Sequence, residues 1–393
     1  MGLRWLMCGS AWDEMIGAWY AATGKFYLNG AEYKLSYVRT SMYTLVLMEL
    51  IMSETKLRAA VIGGGLGGSH GYAYARAQEY ELVAVCDINP EVFDRFYGRA
   101  EIARGGIGEY ADYREMFAKE NLDVVSVATP DHLHVDPVCD ASDAGIRGIL
   151  CEKPLATTLA DADCIVETIE RNGTKLSVDH TRSWIPSHQA VRQAIRDGEI
   201  GPLTRIVAHM GGKRSMLFRN GTHLVDAVCF FADAEPVWVI AAHERGFEDY
   251  GPAYDGKGGK DPQYDPGSTI IVEFRNGVRG IINAAKLTPQ MFEFDLQGPG
   301  GRYWLTDQQC TFWKTEQPEG RAELMNAPEG RGYADPFGEN LIPAVQELAG
   351  MISDNVPSSS PAERGRHTLE IMVAALESQV EDSAKIQLPL PRH

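Results

Sequence analysis

From residue 57 onward, short apolar runs alternate with longer stretches in which apolar residues recur at helical spacing. Residues 57–62, 82–86, 122–128, 148–151 and 176–178 read as strands, and 122–128 is apolar enough throughout to be buried on both faces. Residues 69–79, 90–103, 136–144 and 159–172 read as the helices between them. Such alternation predicts βαβ units, and so a parallel sheet with right-handed crossovers. Beyond about residue 200 the pattern changes: 203–210, 237–243, 269–274, 278–284, 292–297 and 302–305 read as strands, followed by helices at 342–354 and 362–382. Arg275-Asn276-Gly277 separates two of these strands, and Asn-Gly is a strong hairpin signal. The expectation is an α/β domain with a parallel sheet, then an α+β domain with a large, mostly antiparallel open sheet.

Residues 1–51 show neither period. They hold Trp5, Trp12 and Trp19, and their charges cancel, so the net −17 belongs to the remainder. Met52 opens a short polar lead into an apolar strand and resembles a natural start. The expected organisation is therefore 1–51 as an extension of doubtful origin (disordered or a mis-assigned start, against a helical docking segment), 52–178 as the first domain and 179–393 as the second. The stretch 246–267, rich in Gly, Asp, Pro and Tyr, is long for a plain connection and leaves open a lid, a dimer arm or a surface loop.

Composition narrows the classes. Lys and Arg number 37 against 54 Asp and Glu, which argues against a protein that coats nucleic acid or anionic membrane. The seven cysteines are widely spaced with no C-x-x-C, which disfavours a disulfide framework and a zinc site and favours reduced thiols in the cytoplasm; no metal is expected. The apolar run 42–52 is too short to span a bilayer, and no secretory leader pattern is visible.

Gly63, Gly65 and Gly68 form G-x-G-x-x-G, with Leu66 in its turn, between a predicted strand and a predicted helix. In that context the pattern predicts a Rossmann domain: a tight turn at Gly63, a pyrophosphate against the backbone at Gly65, close helix–strand packing at Gly68, and phosphates at a helix N-terminus. Asp87 ends the second strand about 20 residues on, where a carboxylate binds the adenosine ribose hydroxyls and repels a 2′-phosphate. NAD is therefore expected over NADP.

Two further stretches end predicted parallel strands: Thr129-Pro130-Asp131-His132-Leu133-His134 and Glu152-Lys153-Pro154. With the glycine loop they resemble the Gfo/Idh/MocA family of nicotinamide-dependent oxidoreductases, over about residues 57–390. The resemblance implies hydride transfer at a hydroxyl carbon of a sugar, cyclitol or sugar acid, and a homodimer or homotetramer formed through the open sheet. It implies that Lys153 bridges the nicotinamide end of the cofactor and the reacting oxygen, and that His223 transfers the proton. Thr129, Pro130, His132, His134 and Glu152 would border the cofactor. Independently, a buried ammonium stabilises a developing alkoxide, and an imidazole can take a proton near neutral pH.

The chain departs from the family pattern at Arg219, four residues before His223, where many sugar-active members carry an Asp. A cation there depresses the basicity of the imidazole. Asp226 and His180 are alternative participants, and Arg182, Lys213, Arg214, Arg219 and Lys153 would favour a carboxylate or phosphate on the substrate if they converge. The competing readings are a catalytically silent dinucleotide sensor and an enzyme that retains its cofactor through a redox cycle.

Overall fold

The computed structural model describes residues 26–28, 31–33, 56–254, 261–317, 320–334 and 336–391. The chain separates into residues 1–55 and residues 56–393. In the first unit β1 (Phe26–Leu28) and β2 (Ala31–Tyr33) pair antiparallel. The rest of the expected extension lies outside the described residues, as do residues 255–260 of the long connection.

The second unit opens with β3 (Leu57–Ile62), α1 (Gly64–Arg76), β4 (Tyr80–Cys86), α2 (Val92–Ala100), β5 (Gly108–Tyr110), α3 (Tyr113–Lys119), β6 (Val124–Val127), α4 (Val135–Asp143), β7 (Gly148–Cys151), α5 (Leu159–Asn172) and β8 (Lys175–Val178). The six strands β3 to β8 form one parallel sheet in the order β5-β4-β3-β6-β7-β8. β6 and β7 are buried at every residue, which is why they read as unbroken apolar runs. β3 and β6 are neighbours, yet the chain leaves β3 toward β4 on its other side. The crevice beyond their C-terminal ends is thus the switch point where ligands of such sheets bind.

α3 and β5 carry little apolar signal and were not expected. Asp112 caps α3 by accepting from the Arg114 N–H at 2.8 Å, a local cue that outweighs weak periodicity.

After α6 (Pro186–Arg196), the strands β9 (Arg205–Gly211), β10 (Pro236–His243), β11 (Ser268–Phe274), β12 (Arg279–Ala285), β13 (Met291–Gly298), β14 (Gly301–Thr306), β15 (Cys310–Lys314), β16 (Glu323–Met325) and β17 (Ile386–Gln387) make a second sheet. Its nine strands run β16-β15-β14-β13-β9-β12-β11-β10-β17, antiparallel except for β12 beside β9. Asn276-Gly277 does turn β11 into β12, with Gly277 at φ +85° and the Phe274 N–H donating to the Val278 carbonyl at 2.9 Å. α7 (Gly221–Ala232) packs on β9 and β12, and α9 (Ala362–Val380) on β10. α8 (Ile342–Ser353) instead returns to the first sheet: a Cβ on Gly148 of β7 would lie 2.7 Å from the Ile352 side chain. No helix among the described residues is long and apolar enough to cross a membrane.

Candidate functional site

Strand ends build the site. At the end of β3, Gly63 sits at φ +93°, and a Cβ there would lie 2.4 Å from the Ala128 carbonyl oxygen, so only glycine makes this turn. Close packing is divided differently from the expectation: Gly67 lies against β3, where a Cβ would meet Val61 at 2.6 Å, while Gly68 lies against α2, where it would meet Arg99 at 2.6 Å. Gly65 and Leu66 stay half-exposed. The first turn of α1 holds no acidic residue, so its free N–H groups and positive potential face the crevice.

Asp87, at the end of β4, accepts from the Gly64 N–H at 2.8 Å and from the Asn89 N–H at 2.8 Å. Each carboxylate oxygen retains a second lone pair for a ribose hydroxyl. These residues fit a dinucleotide: a cradle that a side chain would fill, donors for a pyrophosphate and a carboxylate for the ribose. Arg95 reaches within 3.2 Å of where a Cβ on Gly65 would be, and Arg99 donates to the Gly65 carbonyl at 3.0 Å. Arg95 and Arg99 thus flank the glycine loop that Asp87 holds, and Asp87→Ser is expected to shift the NADP/NAD affinity ratio toward NADP by at least about tenfold. Titration of both cofactors by fluorescence checks this; an unchanged ratio removes Asp87 as the discriminator.

Beyond β6, the Thr129 hydroxyl donates to the Leu133 carbonyl at 3.2 Å, Pro130 is exposed, and Asp131 is buried. His132 points out to solvent. His134 is buried between the carbonyls of Pro154 (2.9 Å) and Thr129 (3.1 Å), and burial lowers its pKa. It fastens the loop after β6 to the loop after β7 rather than facing the crevice.

Glu152 and Lys153 follow β7. Glu152 lies 3.3 Å from His70 Nε2, and Asp179, at the end of β8, lies 3.8 Å from the same nitrogen. Ser126 lies 3.1 Å from His70 Nδ1. Burial raises the Glu152 carboxyl, but His70 and Lys153 outweigh it and hold Glu152 ionised. Burial and the Glu152 charge push Asp179 up. Burial would lower His70, yet the two acids raise it. The ligand-capable atoms of this trio lie within 4.8 Å of one another, close enough for a metal. The His70–Glu152 hydrogen bond and the adjacent Lys153 ammonium argue instead for proton sharing. No sequence motif singled out His70; its place two residues beyond the glycine motif was the only available signal.

Lys153 donates from Nζ to the Arg219 carbonyl at 2.7 Å. Burial brings its pKa down to about 8, with Glu152 and Asp179 opposing and Arg219 and Arg214 assisting the drop. His223 is half-buried, and its Nδ1 has no hydrogen-bond partner. Burial and the charges of Lys153, Arg182, His180 and Arg219 hold its pKa well below the usual range. It is therefore neutral at pH 7 and able to accept a proton.

His180 is 1 % exposed. Its Nδ1 lies 3.2 Å from Asp226 and its Nε2 3.0 Å from the Thr222 hydroxyl. Asp226 in turn receives Arg364 Nε at 2.8 Å. The carboxylate that His223 lacks thus serves His180, whose ring centre is 6.0 Å from that of His223. Arg182 is occupied by Asp307, at 2.9 and 2.6 Å, and lies over the Phe292 ring. Lys213 and Arg214 are exposed, and Arg219 is half-buried.

The long connection contributes what the sequence did not reveal. Asp265 is fully buried and accepts from the N–H groups of Phe218 (3.1 Å) and Arg219 (2.9 Å). Tyr254 stacks on Phe218 at 4.1 Å between ring centres, and its hydroxyl donates to Asp131 at 3.3 Å. This segment therefore ties the Arg219 loop to the loop beyond β6.

Residues 57–180 match the model of an oxidoreductase family with an NAD-binding Rossmann fold, and residues 188–304 match the GFO/IDH/MocA C-terminal domain. D-apiose dehydrogenase of Paraburkholderia graminis is 37% identical over 160 residues, 40% of this chain and 41% of that protein. The chain thus spans less than half the length of that relative. Levoglucosan dehydrogenase of Pseudarthrobacter phenanthrenivorans is 25% identical over 337 residues, 73% of this chain and 83% of that protein. A solved levoglucosan dehydrogenase in complex with NADH and L-sorbose shares the fold, with TM-score 0.73 at 20% identity over 85% of this chain and 99% of its own. Matched across both its parallel-sheet half and the first strands of its second sheet, the chain belongs to the Gfo/Idh/MocA family of oxidoreductases.

Proposed function

We propose that this protein is an NAD-dependent dehydrogenase acting on a hydroxyl carbon of a sugar, cyclitol or related polyhydroxylated molecule. The reading rests on one observation above all: Lys153, a buried ammonium with its pKa brought down to about 8, stands at a strand end in the crevice that carries the glycine loop, beside the neutral His223. The relatives named above are dehydrogenases of small carbohydrates and agree with it.

Bound NAD supplies the hydride acceptor. The Lys153 ammonium, held toward the pocket by the Arg219 carbonyl, stabilises negative charge growing on the substrate oxygen. His223 takes the hydroxyl proton, so the C–O bond becomes a carbonyl as hydride leaves carbon. His180 is almost fully buried, with Nε2 against the Thr222 hydroxyl and Asp226 within ion-pair distance of Nδ1, so it positions α7 rather than meeting substrate. Glu152 and His70 keep a negative charge beneath Lys153.

Incubating the full chain with NAD and pools of aldoses, cyclitols and sugar acids should produce the absorbance of reduced nicotinamide. NAD binding without turnover of any pool would support the silent sensor instead. The pH profile is a second readout. A cation with a depressed pKa is charged below that pKa and loses its charge above it, so kcat/KM should fall as pH rises through about 8.

The sheet face opposite α7 and α9 carries the half-buried row Ile240, Ile271, Ile281, Val207 and Trp304, interrupted by Asp295. A second copy covering this face would give the homo-oligomer that the family resemblance implies, and sedimentation velocity would detect it.

A further inference from the structure

We propose that the pocket is built for a substrate carrying an anionic group, a carboxylate or a phosphate, and that Arg219 is the residue that binds it. This deepens the dehydrogenase reading and rests on it for the place of the reacting carbon.

Arg219 is fixed at both of its peptide groups. Its N–H is held by the buried Asp265 at 2.9 Å, and its carbonyl receives Lys153 Nζ at 2.7 Å. The side chain therefore leaves from a rigid root beside Lys153. Yet Nε of Arg219 is buried without a hydrogen-bond partner. Among the described residues, no carboxylate lies within ion-pair distance of Arg219 or Arg214. An unpartnered Nε also occurs in Arg192 and Arg302, but each of the other half-buried arginines among the described residues meets a carboxylate: Arg58 meets Glu120, Arg182 Asp307, Arg192 Asp233, Arg302 Asp295, Arg364 Asp226, and Arg366 Asp163 and Glu370.

That contrast matters in a chain with 54 acidic residues against 37 basic ones. Carboxylates are plentiful, and a half-buried guanidinium left without one loses hydration with no compensation. Even Asp265, which holds the Arg219 N–H, spends its oxygens on backbone N–H groups. The missing counter-charge is supplied by the ligand. A planar guanidinium with a free edge suits a carboxylate or phosphate in two-point contact.

The charges around Lys153 agree. Glu152 and Asp179 favour its charge, while Arg219 and Arg214 oppose it. His223 is likewise surrounded by Lys153, Arg182, His180 and Arg219. An anion seated on Arg219 offsets this positive field. It thereby raises the basicity of His223, so a substrate bearing the anion would switch on the base that deprotonates it.

The test uses calorimetry on the full chain saturated with NADH, a complex that cannot oxidise the added alcohol. The probes are D-gluconate, D-glucuronate, D-glucose 6-phosphate, D-glucose and myo-inositol. At least one acidic probe should bind at least about tenfold more tightly than the neutral ones. Arg219→Ala should erase that preference, Arg219→Lys should restore part of it, and Arg219→Asp should reverse it. The ranking of gluconate and glucuronate against the sugar phosphate identifies which anion the site takes. NADH affinity and melting temperature, measured for each variant, separate loss of the subsite from loss of the fold.

Equal binding of acidic and neutral probes, unaffected by Arg219→Ala, overturns the proposal, as does failure of every acidic probe to bind. Turnover of neutral polyols with no preference for acids sinks the subsite and leaves the dehydrogenase standing. Arg219-dependent binding of an acid without turnover does the reverse. A second readout is kinetic: removing the Arg219 charge should move the high-pH limb of kcat/KM upward, a shift that mere loosening of the loop would not produce.

Discussion

Lys153→Ala is expected to lower kcat/KM by about three orders of magnitude while leaving NAD affinity within a fewfold of the parent. The ammonium is buried and donates to the Arg219 carbonyl, so its charge is little screened. Its removal eliminates an interaction that grows as the alkoxide forms, so kcat should fall more than KM rises. It also leaves Glu152 without that cation, still paired with His70 and the residue-153 N–H and close to Asp179. Lys153→Arg should not rescue activity, since the bulkier planar head cannot occupy the same point between the Arg219 carbonyl and Glu152. Steady-state kinetics with calorimetry of NAD binding would decide the matter. A variant with near-parental kcat would remove Lys153 from the chemistry.

The second large effect is on stability. Asp226→Ala should destabilise the fold by about 3–5 kcal/mol, because it leaves the cation it neutralised buried and unpaired. Asp226 is 1 % exposed, with Arg364 at 2.8 Å and His180 at 3.2 Å. Arg364 also donates to the Ser359 carbonyl at 2.6 Å, so the pair clamps α7, α9 and the segment before α9 together. Burial raises the Asp226 carboxyl, but Arg364 and His180 hold it well below the ordinary carboxylate range. A group depressed in this way contributes stability above its unfolded pKa of about 3.9 and loses it as pH falls below that value. Urea unfolding midpoints at pH 7 and pH 3.5 should therefore differ less in the variant than in the parent. Equal differences would show that the pair does not carry the acid sensitivity.

Local patterns made much of the fold legible. β3, β7 and α5 span the residues that their periodicity indicated, and the hairpin at Asn276-Gly277 formed where its turn chemistry placed it. The glycine loop and Glu152-Lys153 fell at strand ends, so the crevice could be located before any contact was known. Where local cues were weak, boundaries moved. β15 and β16 escaped notice because they are edge-side strands: in β15 Phe312 alone is buried and β16 is exposed throughout, which leaves little alternation to read.

The sequence by itself determined what depends on neighbours a few residues apart: the strand–helix alternation, the left-handed turn at Gly63, the carboxylate at the end of β4 and the lysine at the end of β7. Only the tertiary structure decided which charges meet. Arg182 was a plausible substrate ligand until Asp307, 125 residues away, was seen to hold it. Asp226 could have served His223 but lies against His180 and Arg364 instead. Asp265 and Tyr254, from a stretch that read as a loop, pin the segment that carries Arg219. The reason is physical. Periodicity and turn preference act within one or two turns of chain, whereas an ion pair is chosen by the packing of elements far apart in sequence, and a carboxylate carries no mark of the partner it will find.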